Sequence, residues 1–202
     1  WDSTNVCDPV VSILTNVGLD HTQWLGPTEA SIAREKLGVA RRGRVLVTGI
    51  GEDLYREVAR PAMRRLGVSV RRLGVDFDLV RRGDRQWDYH SPRRVVRNLF
   101  LSLEGTFQAA NAAVAVAAAE AVETAGLPVG DAAIRVGLGT AWWPGRFQRV
   151  RERPVVVLDG CHNPPGAEAL RQALEEAALP RPRVMVHGSR PEKDVTEVLR
   201  HL

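Results

Sequence analysis

Two short β-branched runs constrain this chain most. VVSILTN (residues 10–16) and RVLVT (residues 44–48) each read as a buried strand. Between them, Pro27-Thr28 opens a helix, with Thr28 as its N-cap; the helix runs to Lys36 and stops at Gly38. A strand, a helix and a strand at this spacing predict a parallel α/β sheet. A second helix is expected over residues 52–66, bent at Pro61, whose ring cannot continue the hydrogen-bond ladder.

From residue 68 to 103 the texture changes. VSVRRLG, DFDLVRR, RQWDYHS and NLFLSL are short pieces with turns between them and predict an antiparallel or mixed patch of strands. The alanine-rich NAAVAVAAAEAVETAG (residues 111–126) predicts a helix ending at a glycine, followed by a second helix over 131–138. Trp142-Trp143-Pro144-Gly145 marks a boundary. Beyond it PVVVLDG, PPGAEALRQALEEAAL, RVMVHGS and EKDVTEVLRHL predict a fresh βαβα unit. The expected organisation is therefore two units, 1–143 and 144–202.

Composition excludes several classes. The chain has 202 residues, 44% of them hydrophobic, which is ordinary for a globular protein. No apolar run is long enough to span a membrane, and no secretory signal opens the chain. Cys7 and Cys161 form no metal or redox pair, which fits a reducing cytoplasm. The net charge is +4, but the arginines are scattered in pairs without interleaved aromatics, so no nucleic-acid surface is expected.

VLVTGIGEDL (residues 45–54) has a strand, Gly-x-Gly and a helix, yet Leu54 stands where a dinucleotide fingerprint needs a third glycine. Glu52 and Asp53 occupy the positive helix end, where they would repel phosphate, so this reads as an ordinary turn. No GxxxxGK[ST] loop is present. Asp20 and His21 follow the first strand's C-terminal end, where open parallel sheets place ligands; a neutral imidazole there is either a loop hydrogen-bonding group or a ligand for a divalent cation. Lys36 stands out because arginine fills almost every other basic position; only a primary amine can add CO2 to become a carbamate. Asn111 opens the alanine helix and reads equally as an N-cap, while Arg146 follows a turn and reads equally as a surface residue. Asp159 ends a strand in LDGCHNP, with His162 and Asn163 in the following loop, an edge where an Asp can accept ribose hydroxyls.

Together these stretches resemble folylpolyglutamate synthase and the bifunctional dihydrofolate synthase, within the Mur ligase superfamily. DSTNV with TNVGLDHTQWLGPTEASIAREKLG is similar to the family's central-domain signature. LEGTFQAANAAVA resembles its G-x-H-Q-x-x-N-A-A segment, WPGRFQ and LDGCHNP its two C-terminal-domain signatures, and HGSRPEKD its later Lys-Asp segment. The resemblance implies part of a central ATPase domain, a mixed sheet with helices, followed by part of a Rossmann-like C-terminal domain. It implies an ATP-dependent ligase that phosphorylates a carboxylate of the pterin substrate, after which the amino group of L-glutamate attacks the acyl phosphate. The acceptor would be dihydropteroate, a folate, or both. By the same resemblance His21 ligates Mg2+, Lys36 is a carbamylated lysine beside it, and Asn111, Arg146 and Asp159 contact the nucleotide, with Asp20, His162 and Asn163 near the site.

The chain departs from the family pattern at Phe107, where the family has His, and at Cys161, where a small residue is usual. The family's phosphate-binding loop, a Mg2+-binding Ser or Thr and a Glu ligand are expected before Trp1, so this chain alone is expected to have little or no ligase activity. A cytoplasmic enzyme, monomeric at full length, is the expectation. The alternatives are another amino-acid ligase of the superfamily and a nucleotide-binding remnant without catalysis.

Overall fold

The computed structural model describes residues 3–190 and 195–202. Trp1 and Asp2 of the first resembling segment, and Pro191 to Asp194 of the last, lie outside the described residues. The expected mixed α/β fold is present, as three separate small sheets with helices packed between and around them.

The parallel core forms as its sequence dictates. Strand β1 (Val11–Leu14) pairs in parallel with β2 (Val45–Thr48), through the helical connection α1 (Thr22–Leu25) and α2 (Glu29–Lys36). Thr28 caps α2: its Oγ1 accepts the Ser31 amide, and the Ser31 side chain reciprocates toward the Thr28 backbone. After β2 come α3 (Glu52–Leu54), a π-helical turn (Tyr55–Ala59) and α4 (Arg60–Leu66). The irregularity expected at Pro61 as a bend takes the form of a widened turn just before it, where Pro61 has no N–H to return to the preceding turn. Strand β3 (Ser69–Arg72) then pairs in parallel with β2, giving the order β1-β2-β3. Leu46, Val47 and Thr48 in the central strand are fully buried.

Two apolar layers cover this sheet. On one face Leu14, Leu46 and Ile50 pack with Ala33 and Leu37 of the α2 segment and with Val58 and Met63. On the other, Val47 meets the apolar face of α5 (Thr106–Thr124) together with Phe77, Tyr89, Val96 and Leu99. Tyr89, Val96 and Leu99 belong to an antiparallel meander, β4 (Asp78–Gly83), β5 (Gln86–His90) and β6 (Val95–Phe100), and Phe77 immediately precedes it. The expected patch thus forms from DFDLVRR, RQWDYHS and NLFLSL, whereas VSVRRLG departs from it and joins the parallel sheet as β3. Helix α6 (Asp131–Thr140) packs against β6. Helix α5 begins well before Asn111. Gly105, at a φ of 97° that only glycine adopts freely, turns the chain into it, so Asn111 sits in the second turn and is no N-cap.

The second unit departs further from expectation. PVVVL forms β8 (Val155–Leu158), but it pairs antiparallel with β7 (Gln148–Glu152) and is only half-buried. Helix α7 (Pro164–Glu176) forms as expected, and α8 (Val195–His201) packs on it. RVMVHGS is not a strand: Val184 and Val186 are at least 90% exposed, and no described strand lies beside them to supply ladder bonds. The expected βαβα unit is therefore a hairpin and two helices among the described residues.

Candidate functional site

A cleft of about 1120 Å3 opens past the C-terminal ends of β1 and β2 and is closed on its far side by the 143–166 segment and α7. Its walls carry Asp20, His21, Lys36, Asn111, Arg146, Asp159 and Asn163. Residues scattered over more than 140 positions thus share one cavity; of the sequence-predicted site residues, His162 alone does not line it.

The turn after β2 shows why the cleft lies here. Gly49 donates its amide to the Thr15 carbonyl, and a Cβ on Gly49 would meet that same oxygen at 2.5 Å. Thr48 ties the exits of β1 and β2 by donating its hydroxyl to the Leu14 carbonyl at 2.6 Å. The Gly-x-Gly turn, read from the sequence as an ordinary turn, packs the two strand exits together, and Glu52 at its helix end is taken by the Arg72 guanidinium at 2.5 Å.

The Asp20-His21 loop is pinned locally. Asp20 Oδ1 accepts the His21 amide at 2.8 Å, and His21 adopts a left-handed φ of 51° while its carbonyl receives the Trp24 and Leu25 amides. His21 is exposed toward the cleft, and Lys36, the last residue of α2, lines the same cleft, half-buried. Asn111 projects from α5, oriented by Gln108, whose Oε1 accepts its amide at 3.0 Å.

The opposite wall is built around Asp159. Its two oxygens accept the Phe147 and Cys161 amides, both at 2.8 Å, which clips the Arg146 turn to the strand end. Gly160 donates to the Gly145 carbonyl at 2.7 Å, and the Arg146 guanidinium lies close above Gly160. Burial, and next the Asp159 charge, push the Cys161 thiol above its ordinary value, so it is an inert wall residue. Asn163 caps α7 by accepting the Gly166 amide at 2.9 Å.

The two walls touch at one edge. Asn163 Nδ2 donates to Asp20 Oδ2 at 3.1 Å, and His162 Nε2 stands 3.4 Å from the same oxygen. Sequence reasoning missed Gln108, Gly18 and Pro165 as cleft residues. Gln108 lies ahead of the alanine helix expected over 111–126, and Gly18 follows the first strand run with no side chain to mark it.

The donor chemistry limits what this chain holds alone. Asp20, His21 and Lys36 share the cleft, but no cluster of three or more His, Cys, Asp or Glu side chains able to hold a metal forms among the described residues. These residues by themselves do not enclose a Mg2+ ion, which prefers an octahedron of oxygens. Among the described residues no helix is long and apolar enough to cross a membrane.

No protein-family model matches the chain. Curated proteins do. The chain is 37% identical, over 98% of its length, to the dihydrofolate synthase/folylpolyglutamate synthase of Escherichia coli strain K12, of which it covers 45%. It is 33% identical, over 96% of its length, to the folylpolyglutamate synthase of Lacticaseibacillus casei, covering 46% of that protein. A solved structure described as an FPGS-AMPPCP-folate complex superposes with a TM-score of 0.81 at 34% identity, over 87% of this chain and 44% of that one. The chain thus spans less than half the length of these relatives, and over the segment it shares with them it belongs to the folylpolyglutamate synthase and dihydrofolate synthase family.

Proposed function

We propose that this chain supplies part of the active site of a cytoplasmic, ATP-dependent ligase that joins L-glutamate to dihydropteroate, a folate, or both. The observation that carries the reading is the convergence of Asn111 from the first unit with Arg146 and Asp159 from the second on one cleft. The relatives named as folate ligases, and the complex named for AMPPCP and folate, support the choice of substrates. The same grouping supports a junction near residue 143 between two domains, 1–143 and 144–202, that would close on the nucleotide together.

The residues divide the work by their chemistry. Asp159 presents a carboxylate whose backbone donors hold it in place, suited to accept ribose hydroxyls. Arg146 brings a permanent positive charge that steers and holds phosphate oxygens. Asn111, fixed by Gln108, offers amide contacts from the opposite wall. Shutting the cleft excludes water from the acyl phosphate, which hydrolysis would otherwise waste before the glutamate amine attacks its carbonyl carbon and phosphate departs. Magnesium, when bound with the nucleotide, supplies charge neutralisation on the transferring phosphoryl group. His21 would give it one donor on this chain. A carbamate on Lys36 would add oxygen donors beside His21 and convert a cation into an anion.

The test is L-glutamate-dependent ADP formation with dihydropteroate or a folate as acceptor, measured on the protein that carries this segment. Arg146→Ala and Asp159→Asn are expected to lower kcat/KM about 100-fold or more, as loss of transition-state contacts does. Turnover with a nucleotide-linked sugar acid instead of a pterin would overturn the substrate class. Carbon-13 labelled CO2 should give a trapped carbamate signal that Lys36→Arg abolishes; a signal unchanged by that variant removes Lys36 from this role.

A further inference from the structure

The contact at the cleft edge has features that a chance surface contact lacks. Asp20 uses each carboxylate oxygen differently: Oδ1 holds the His21 amide of its own loop, and Oδ2 reaches across to Asn163. Asn163 is likewise divided. Its Oδ1 caps α7 through the Gly166 amide, and its Nδ2 is left to make the crossing. The backbone of the first unit is thus joined to the helix end of the second through two side chains. The negative carboxylate also lies near the positive end of α7, where it is favoured.

A second observation lies beside it. A Cβ on Gly18 would meet Pro165 Cγ at 2.8 Å, so the loop before Asp20 can approach α7 this closely only as glycine. Gly18 and Pro165 set the separation of the two walls, and Asp20 with Asn163 sets their register.

We infer that Asp20 is a positioning residue, a latch that draws the Asp159–Asn163 loop onto the His21 loop and so fixes the width of the cleft. The inference rests on the proposed ligase reading for its consequence, but its geometry does not depend on any reaction. His162, at 3.4 Å from the same oxygen, adds to the grip without replacing the amide donor.

Exchange of donor and acceptor tests the latch. Asn163→Asp keeps a good helix cap but sets two carboxylates against each other, which drives the walls apart. Adding Asp20→Asn restores one donor and one acceptor in reversed order. Asp20→Ala leaves the α7 cap untouched and removes the crossing together with the Oδ1 bond to the His21 amide, whereas the double exchange keeps an oxygen for that amide. Spin labels at Arg34 on α2 and Gln172 on α7, in a chain whose Cys7 and Cys161 are replaced by Ser, report the separation without substrate. Asn163→Asp and Asp20→Ala are expected to give a longer and broader distance distribution, and the double exchange to return it to the parent. Single variants that leave the distance unchanged, or an exchange that fails to restore it, overturn the latch. Because the readout needs no turnover, its failure is distinct from a failure of the ligase assay. In the ligase assay, a working latch predicts that Asp20→Ala raises the nucleotide KM about 10-fold and the double exchange recovers most of it.

Discussion

The two units of this chain are held together by different physics. Residues 3–143 contain both large apolar clusters, with Leu46, Val47, Tyr89, Val96 and Leu99 fully buried around a parallel sheet and α5. Beyond residue 143 the buried apolar residues among those described are Phe147, Ala167, Ala173 and Val198. That unit joins its neighbour largely by polar contacts, Asn163 to Asp20, Arg149 to Glu104 at 3.0 Å, and the Thr106 amide and hydroxyl to Glu176, beside the close approaches of Pro165 to Gly18 and Ala173 to Gly105. The lesson is that the cleft has one rigid wall and one docked wall. On the proposed reading this asymmetry suits a site that closes on a nucleotide, because a few polar contacts such as the Asp20–Asn163 latch can be made or broken as a set, which an interdigitated core cannot.

The comparison breaks most visibly in the core of the first unit. Leu46→Ala, at a fully buried site in the central strand, is expected to lower the unfolding free energy by about 3 kcal/mol, read from urea denaturation. Val156→Ala in half-buried β8 is expected to cost less than about 1 kcal/mol. Equal losses would mean that the second unit shares the first one's core. A step smaller is Tyr89→Phe. Tyr89 donates to the buried Glu120 carboxylate at 2.9 Å, and burial, then the Glu120 charge, push its pKa upward so that it stays a donor. Removing the hydroxyl leaves Glu120 with Ser91 and is expected to cost about 1–2 kcal/mol.

The docked wall should respond more weakly and locally. Glu176 receives both Thr106 donors and so caps α5 from the other unit. Glu176→Ala is expected to cost about 1 kcal/mol or less and to speed amide exchange in the first turn of α5, leaving β2 protected. The smallest effect is on acid stability. The Arg171 hydrogen bond, then Gln172, holds the Glu168 carboxyl down from its ordinary 4.5 to about 2. A lowered folded pKa contributes stability that is present above pH 4.5 and lost as pH falls toward 2. Glu168→Gln should flatten that limb for α7 and α8 while the first unit's acid limb stays as it was. The exposure of the pair keeps the change small.

What the sequence made legible follows the same division. The runs at 10–16 and 44–48, the Thr28 cap and three of the four short strands expected over 68–103 are short-range patterns in a unit that buries its own apolar faces, and they form where expected. VSVRRLG is a strand too, but pairing, which its composition does not encode, puts it in the parallel sheet. RVMVHGS has an equally good strand composition, but a strand needs a neighbour to receive its backbone bonds, and composition cannot supply one. Asn111 was placed at a helix start because alanine marks the helix so strongly; Gly105 starts it earlier. The cleft residues were legible as separate loop positions and, through the family resemblance, as a set. Their spatial convergence, the orientation of Asn111 by Gln108 and the crossing from Asp20 to Asn163 depend on how the units dock, which no local pattern encodes.

In the proposed function one nucleotide is contacted from both walls. Titrating the nitrogen-15 labelled chain with the β,γ-methylene analogue of ATP at millimolar concentration tests this most directly, since weak binding still moves amide resonances. The amides of Asn111 on one wall, and of Phe147 and Cys161 on the other, are predicted to shift together along one binding curve. Shifts confined to one wall, shifts scattered away from the cleft, or no shifts at all would contradict the account.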